Sequence, residues 1–256
     1  MNLETIFVGA VVVVVTVVAA IGAATQVQRY LPMAERRENN DVVGVAFAIV
    51  GVLYAILLTF VTLSVWEDND AAETSARAEA RAVVELRRYA ATLPGPGNAT
   101  LTALADRYVD TVAREEWPRM ADGQAVGPAG AAILDDLWRT VDAVVPGAEP
   151  AVSRQAEVRT TLRELGQARD ARLAATDAGL PGVVWLALLV GAVLALGNTV
   201  LFGVKGTVEY LSIVAILSAM SALMLYAVYQ LEYPYQRGER ITAQVFLDAV
   251  GTLTGQ

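Results

Sequence analysis

Carboxylates are the side chains in this sequence that could do acid–base chemistry, because the chain contains no His and no Cys. Two pairs are adjacent in the sequence, Glu115–Glu116 and Asp135–Asp136. Neighbouring residues on a helix point about 100° apart, so neither pair converges on one substrate atom. We interpret both pairs as solvated helix faces. The sequence therefore predicts no enzyme activity, no cofactor and no metal site.

A different chemistry is suggested by hydroxyls and carboxylates that follow one another in the stretch "TFVTLSVWEDND", residues 59–70. An apolar segment runs into a cluster of acids there, with no intervening Gly or Pro. On a helix of about 100° per residue, one arc about 80° wide is small and weakly polar, and it continues into two acids. The arc contains Gly44, Ala48, Gly51, Ala55, Thr59 and Thr62, and then Trp66, Asp70 and Glu73. The opposite arc is bulky and apolar, with Ile49, Leu53, Ile56, Phe60 and Leu63.

The small arc has two interpretations, and periodicity alone leaves both open. Small residues allow neighbouring membrane helices to approach closely, which makes the arc a packing face. Several copies of the arc around an axis would instead leave room for water, with hydroxyls and then carboxylates along the path. In this second interpretation the pore-lining residues are Gly51, Ala55, Thr59, Thr62 and Trp66, and the pore mouth carries Asp70 and Glu73.

The elements that must position these residues are four apolar blocks, at residues 6–24, 42–66, 181–203 and 210–230. Each block has about 19 or more residues without a charge, enough to cross about 30 Å of hydrocarbon as a helix. The first block follows "MNLET", which lacks the basic residues of a signal peptide, so we expect it to be a retained helix. The formal net charge of −8 gives no electrostatic support for a nucleic-acid partner.

Between the second and third blocks lies a polar region with helical patterns separated by turns. Leu101, Leu104, Tyr108 and Val112, for example, form one apolar stripe. We predict a first membrane helix pair over 1–66, a helical cytoplasmic domain over 67–180, a second pair over 181–231 and a cytoplasmic tail over 232–256. The sequence thus predicts an all-α membrane protein with two pairs of membrane helices around a helical domain.

The distribution of basic residues favours a cytoplasmic location for the polar region. Six arginines flank the spans on the side of that region, and four basic residues lie on the opposite side. The first group is Arg77, Arg81, Arg169, Arg172, Arg237 and Arg240, and the second is Arg29, Arg36, Arg37 and Lys205. An even number of spans on each side of the region places both termini in the cytoplasm with it.

Four segments resemble, in order and spacing, a bacterial membrane family formerly described as a domain of unknown function and now called bestrophin-like. They are "ENNDVVGVAFAIVGVLYAILLTFVTLSVW", "EWPRM", "ARDARLAATDAGLPGVVW" and "LEYPYQRGERI", and together they cover nearly the whole chain. Bestrophins are ion channels, commonly pentameric. They have four membrane helices, a cytosolic helical region between the pairs and a pore lined by the second membrane helix. The resemblance implies the same architecture here, in a bacterial inner membrane.

The resemblance does not extend to every feature of bestrophins. Their necks present bulky apolar residues to the axis, whereas the matching face here offers Gly51, Ala55 and Thr59, unless the helix is rotated to present Tyr54 and Leu58. No acidic cluster resembles the calcium clasp of animal bestrophins. Acidic rings attract cations, so the two acids after the second block favour cation conduction.

The sequence therefore predicts an oligomeric bestrophin-like ion channel. Its expected partners are the lipid bilayer, permeant ions and other copies of the chain, with a pentamer favoured. The alternative is a non-conducting membrane scaffold or signalling protein whose cytosolic helices bind a partner.

Overall fold

The structure, a computed structural model, is predominantly helical in the residues that it describes, and no strand occurs in them. These residues are 3–30, 40–93, 96–144, 149–177, 179–201, 207–238 and 240–254. The helices are α1 Leu3–Tyr30, α2 Asn40–Ala91, α3 Pro96–Thr111, α4 Trp117–Ala121, α5 Ala129–Asp142, α6 Glu149–Ala174, α7 Gly182–Leu201, α8 Thr207–Leu231 and α9 Ala243–Thr254. A π-helical turn, Val112–Glu116, joins α3 to α4.

Four of these helices are long and apolar enough to cross a membrane: α1, α7, α8 and the first part of α2. They coincide with the four apolar blocks, so the predicted all-α fold with two pairs of candidate membrane helices is confirmed. Arg36, Arg37 and Lys205, which entered the comparison of basic residues, lie outside the described residues.

Helix α2 runs for 52 residues and includes both the apolar block and the acids that follow it. After residue 66 the sequence is rich in Ala, Glu and Arg, which are good helix formers. Ion pairs at i, i+4 and i, i+3 spacing, Glu73–Arg77 and Glu85–Arg88, support the exposed side of this part. The helix ends shortly before Pro94 in "PGPG", where proline disfavours further helix.

The chain forms two compact units. The apolar unit comprises Met1–Glu67 and Gly179–Glu232, and the polar unit comprises Asp68–Ala178 and Tyr233–Gln256. Helix α2 contributes residues to both.

In the apolar unit, α1 packs against α8 through a close contact at Gly9. A Cβ atom added to Gly9 would lie 2.7 Å from Cε1 of Tyr226, so a larger residue would displace the ring. The Tyr226 hydroxyl donates a hydrogen bond of 2.6 Å to the carbonyl of Thr5. Near the other end of α1, Ala24 is buried with Tyr210 and Val214. The first apolar block is thus packed against α8 at both ends.

Helices α2, α7 and α8 share a second apolar cluster, in which Val61, Val65, Leu188 and Val228 are buried. The start of α7 is tied to the end of α8 by Glu232, whose Oε1 accepts hydrogen bonds from the Leu180 amide at 3.1 Å and Trp185 Nε1 at 2.9 Å. A buried carboxylate at this end of the unit is satisfied by these donors.

The core of the polar unit is built from α2, α3, α5 and α6 and closed by the C-terminal segment. Trp117 packs against Tyr235 and Phe246 with ring centroids 6.0 and 5.6 Å apart, and its Nε1 donates to the carbonyl of Ile241 at 3.1 Å. The Tyr235 hydroxyl donates to the carbonyl of Ala72 on α2 at 3.1 Å. The segment predicted as a tail thus contributes aromatic residues to the core.

Candidate functional site

The small face of α2 is uncovered within the subunit. A Cβ atom added to Gly51 would meet no heavy atom within 4 Å. Ala55 and Thr59 are exposed, Thr62 is half-buried and Trp66 is 64% exposed. Among the described residues, the structure therefore places these five on one side of α2 that no other helix of the apolar unit fills.

A different face of α2 packs inside the subunit. Tyr54 is buried, and its ring lies against Gly191 of α7, where an added Cβ would approach Tyr54 Cδ2 to 2.6 Å. Val61 and Val65 follow Tyr54 on the same face and are also buried. Because Tyr54 is used in packing between helices of one subunit, rotating α2 to present it elsewhere would break this contact.

The two threonines of the small face bond to their own helix. Thr59 Oγ1 donates to the carbonyl of Ala55, and Thr62 Oγ1 donates to the carbonyl of Leu58, both at 2.7 Å. Each hydroxyl oxygen keeps lone pairs that can accept a hydrogen bond from water or contact a cation. The face is therefore weakly polar without carrying an unsatisfied donor.

The two predicted mouth acids have different surroundings. Asp70 is exposed, and no hydrogen bond or ion pair engages it within the described part of the chain. Glu73 is half-buried and forms an ion pair with Arg77 one turn further along α2. The charge of Glu73 is thus compensated locally, whereas that of Asp70 is not.

A buried ionic cluster in the polar unit was not predicted. It consists of Glu79 on α2, Glu116 in the π-turn, and Arg169 and Arg172 on α6, with exposed fractions of 0, 2, 4 and 0%. Two carboxylates and two guanidinium groups make the cluster neutral. Isolated buried charges are costly, so the pairing is a condition of their burial.

Arg172 is the centre of this cluster. Its Nε donates to Glu79 Oε2 and its Nη2 to Glu116 Oε2, both at 2.6 Å, while its Nη1 donates to Met120 Sδ at 2.9 Å. Burial alone would lower the pKa of Arg172, but the charges and hydrogen bonds of Glu79 and Glu116 raise it above its ordinary value. The guanidinium is therefore permanently charged, and it also lies 4.9 Å from the centre of the Trp117 ring.

The remaining contacts complete the hydrogen bonding of the carboxylates. Arg169 Nη2 donates to Glu116 Oε1, and the Tyr108 hydroxyl donates to Glu79 Oε1, both at 2.6 Å. Burial raises the pKa of Tyr108 well above its ordinary value, and the Glu79 carboxylate raises it further. The hydroxyl thus remains a donor to Glu79 through the neutral range.

Two local features of the backbone make room for the cluster. The π-turn adds a residue to the helical repeat, so both Glu116 and Trp117 turn inward. Gly130 in the first turn of α5 lies against the Glu116–Arg169 pair. An added Cβ would overlap Glu116 Oε1 and lie 2.9 Å from Arg169 Nη2.

These positions correct two expectations from the sequence. Glu116 is not on a solvated face, although its neighbour Glu115 is exposed. Arg169 and Arg172 are not exposed flanks of a membrane span, because both are buried in ion pairs.

The spacing of these charged residues along their helices could have indicated that they are buried. Val158, Leu162 and Leu165 form a buried stripe that Arg169 and Arg172 continue at helical intervals, and Glu116 likewise continues the stripe of Tyr108 and Val112.

Comparisons with known proteins agree with this architecture. A family model described as the Bestrophin-like domain matches residues 14–246. No curated protein sequence matches the chain.

The fold is similar to three solved structures. The first is a crystal structure of a bacterial Bestrophin homolog from Klebsiella pneumoniae that carries a point mutation. It has a TM-score of 0.67 at 14% sequence identity, and the alignment covers 99% of this chain and 100% of that one. Another structure of a bacterial Bestrophin homolog from the same organism gives a TM-score of 0.65 at 14% identity and covers 98% of this chain and 99% of that one. A crystal structure described as a membrane protein gives a TM-score of 0.66 at 14% identity and covers both chains completely.

Proposed function

We propose, from the premise that this chain belongs to the Bestrophin-like family, that several copies of it assemble in a membrane into an ion channel lined by α2. The match extends over most of the chain and confirms the resemblance seen in the sequence motifs. The observation that carries the proposal is the uncovered small face of α2, at Gly51, Ala55 and Thr59.

The neighbouring faces of α2 support this assignment by exclusion. The face with Tyr54 and Val61 packs inside the subunit, and the face with Leu53 and Phe60 is bulky, exposed and suited to lipid or to another subunit. A small, weakly polar face leaves a groove that lipid chains fill poorly. Water in a shared central path is a suitable occupant, because the threonine hydroxyls can accept hydrogen bonds from it.

We further propose that the assembly is a cyclic pentamer, as in the channels that the family resembles, with its path favouring cations. One subunit with four membrane helices leaves no room for a wet central path, so conduction along α2 requires an oligomer. The preference for cations derives from Asp70, since Arg77 compensates the charge of Glu73. The chain needs no catalytic role in this proposal.

Bulky substitutions test whether the small face lines a path or packs against another helix. Ala55→Phe and Thr59→Trp should reduce the current of purified protein in planar bilayers while native mass spectrometry still detects the oligomer. Leu53→Phe is the control, because Leu53 is 63% exposed on the bulky face and should tolerate an aromatic ring. Its current should remain near that of the wild type.

The opposite outcome would identify a packing face. Overpacking commonly costs about 1–3 kcal/mol per site, so Ala55→Phe would then break the oligomer before any current is measured. An intact wild-type oligomer that carries no current would favour the alternative function, a scaffold whose polar unit binds a partner. A subunit count other than five would correct the proposed stoichiometry without affecting the lining.

A further inference from the structure

Helix α2 carries a stripe of exposed charges within the polar unit. Asp70, Arg77 and Arg81 are exposed, and at about 100° per residue they lie within about 40° of one another. They follow the edge of the arc that contains Thr59 and Trp66. The stripe therefore presents charges of both signs on one side of the helix.

Pairing divides these charges into compensated and uncompensated ones. Arg77 forms an ion pair with Glu73, and Arg88 forms one with Glu85, in which Nη1 of Arg88 lies 2.6 Å from Oε1 of Glu85. No hydrogen bond or ion pair engages Asp70 or Arg81 in the described part of the chain. Along the stripe the net charge is thus negative at Asp70, neutral at Glu73–Arg77, positive at Arg81 and neutral at Glu85–Arg88.

We infer that Arg81 determines ion selectivity, by forming a basic ring that opposes the acidic ring of Asp70 and limits the preference for cations. The inference rests on the proposed function, because it requires copies of α2 around a common path. Arg81 is eleven residues beyond Asp70, which corresponds to about 16 Å along the helix axis at about 1.5 Å per residue. This separation exceeds the Debye length of about 8 Å at physiological salt, so each ring acts on ions separately.

The chemistry of arginine gives this ring a fixed sign. The guanidinium carries a positive charge, which opposes the passage of cations. In a ring of copies the same charge is repeated around the path, and anions are concentrated there. A path with both rings should select only weakly between cations and anions. Removing the charge of one ring should leave the ion preference that the other ring imposes.

The test is the reversal potential of purified protein in planar bilayers under a salt gradient centred near physiological ionic strength, where the Debye length of about 8 Å is shorter than the separation of the two rings. Arg81→Gln should raise the cation-to-anion permeability ratio several-fold, and Arg81→Glu should raise it further. Arg81→Lys retains the charge and should keep the wild-type ratio. Asp70→Asn should shift the ratio in the opposite direction.

Arg114→Gln is the matched control for total charge. Arg114 is an exposed arginine of the same unit that pairs with Asp110, and it lies in the π-turn rather than on α2. Its substitution removes the same charge and should leave the ratio unchanged. A conducting wild type whose ratio is unaffected by Arg81→Glu, or is shifted equally by Arg114→Gln, overturns the inference alone. A wild-type oligomer without current overturns the proposed function and the inference with it.

Discussion

At the scale of single residues, charged side chains occupy buried helix positions at which the helical repeat predicts apolar residues. On α2, Glu79 interrupts a buried series that runs from Ala72 and Ala76 to Val83 and Leu86. A hydrophobic residue at this position would cost less desolvation. The charge is tolerated because Arg172 and Tyr108 donate to it, which fixes the helices that carry these donors relative to α2 inside the polar unit.

Neutralising one carboxylate of the cluster should destabilise the protein. Glu116→Gln keeps the side-chain shape but leaves Arg169 and Arg172 with one carboxylate between them. Breaking a buried ion pair from one side commonly costs about 3–5 kcal/mol. We expect a clear decrease in the melting temperature of the purified protein in detergent.

The adjacent residue provides the control for Glu116→Gln. Glu115 is exposed in the same π-turn, and Glu115→Gln should change the free energy of unfolding by no more than about 0.5 kcal/mol. Equal losses of stability in both variants would contradict the role assigned to the buried pairs.

The charges differ in how far the sequence can predict their surroundings. The i, i+4 spacing of Glu73 and Arg77 is local, so their ion pair can be predicted from helix geometry. The partners of Glu116 are 53 and 56 residues away in sequence, and no sequence pattern predicts the π-turn that carries it. Long-range pairing and an irregular turn are therefore the features of the cluster that could not be predicted from the sequence.

At the scale of helices, the apolar blocks were predicted well because length and lack of charge are sufficient signals for a span. The predicted continuation of the second block into the polar region is confirmed by α2, whose sequence lacks Gly and Pro between residues 52 and 91. The exact ends of the helices were harder to predict from the sequence. Helix α3 begins at Pro96, within the proline- and glycine-rich stretch "PGPGN", because proline is compatible with a first helical turn.

The packing of α2 on α7 depends on the absence of a side chain at Gly191. In Gly191→Ala the new methyl group would meet the Tyr54 ring, and relieving this overlap should cost about 1–3 kcal/mol. We expect a lower melting temperature in detergent. Replacing Tyr54 with Leu in the same protein should recover part of the loss, because it removes the ring that the methyl group meets.

A second glycine on α7, Gly197, provides the control for the general effect of replacing a glycine within a helix. An added Cβ at Gly197 meets nothing within 4 Å, and Ala is favoured over Gly in helix interiors by about 1 kcal/mol. Gly197→Ala should therefore leave the melting temperature unchanged or raise it. A decrease equal to that of Gly191→Ala would contradict the proposed tight contact.

At the scale of the whole molecule, the apolar unit leaves much of its surface uncovered. Large side chains of its helices are exposed along most of their length, including Phe7, Val193 and Ile216 at 69, 69 and 59%. Exposed apolar area of this extent is unsuitable for water and requires lipid or other subunits. Insertion into a membrane thus covers apolar surface that the helices of the chain leave exposed.

The orientation of the protein in the membrane is a property of the whole molecule, and the burial of two arginines changes the argument for it. Six arginines on one side against four basic residues on the other favoured a cytoplasmic polar unit. Arg169 and Arg172 are buried in ion pairs and cannot attract lipid headgroups, so four basic residues of the original count remain on each side. The count of basic residues therefore favours neither orientation.

Cysteine labelling should resolve the orientation cleanly, because the native chain contains no Cys. Ala125 is exposed in the loop between α4 and α5, and Tyr30 is 82% exposed at the end of α1. With a cytoplasmic polar unit, a membrane-impermeant maleimide should label Tyr30→Cys in intact cells and Ala125→Cys only after lysis. The two positions lie on opposite sides of the membrane in any topology with one crossing of α2 between them, so each controls for the other. Labelling of Ala125→Cys from outside intact cells, with Tyr30→Cys protected, would reverse the orientation and place the charged stripe of α2 on the external side.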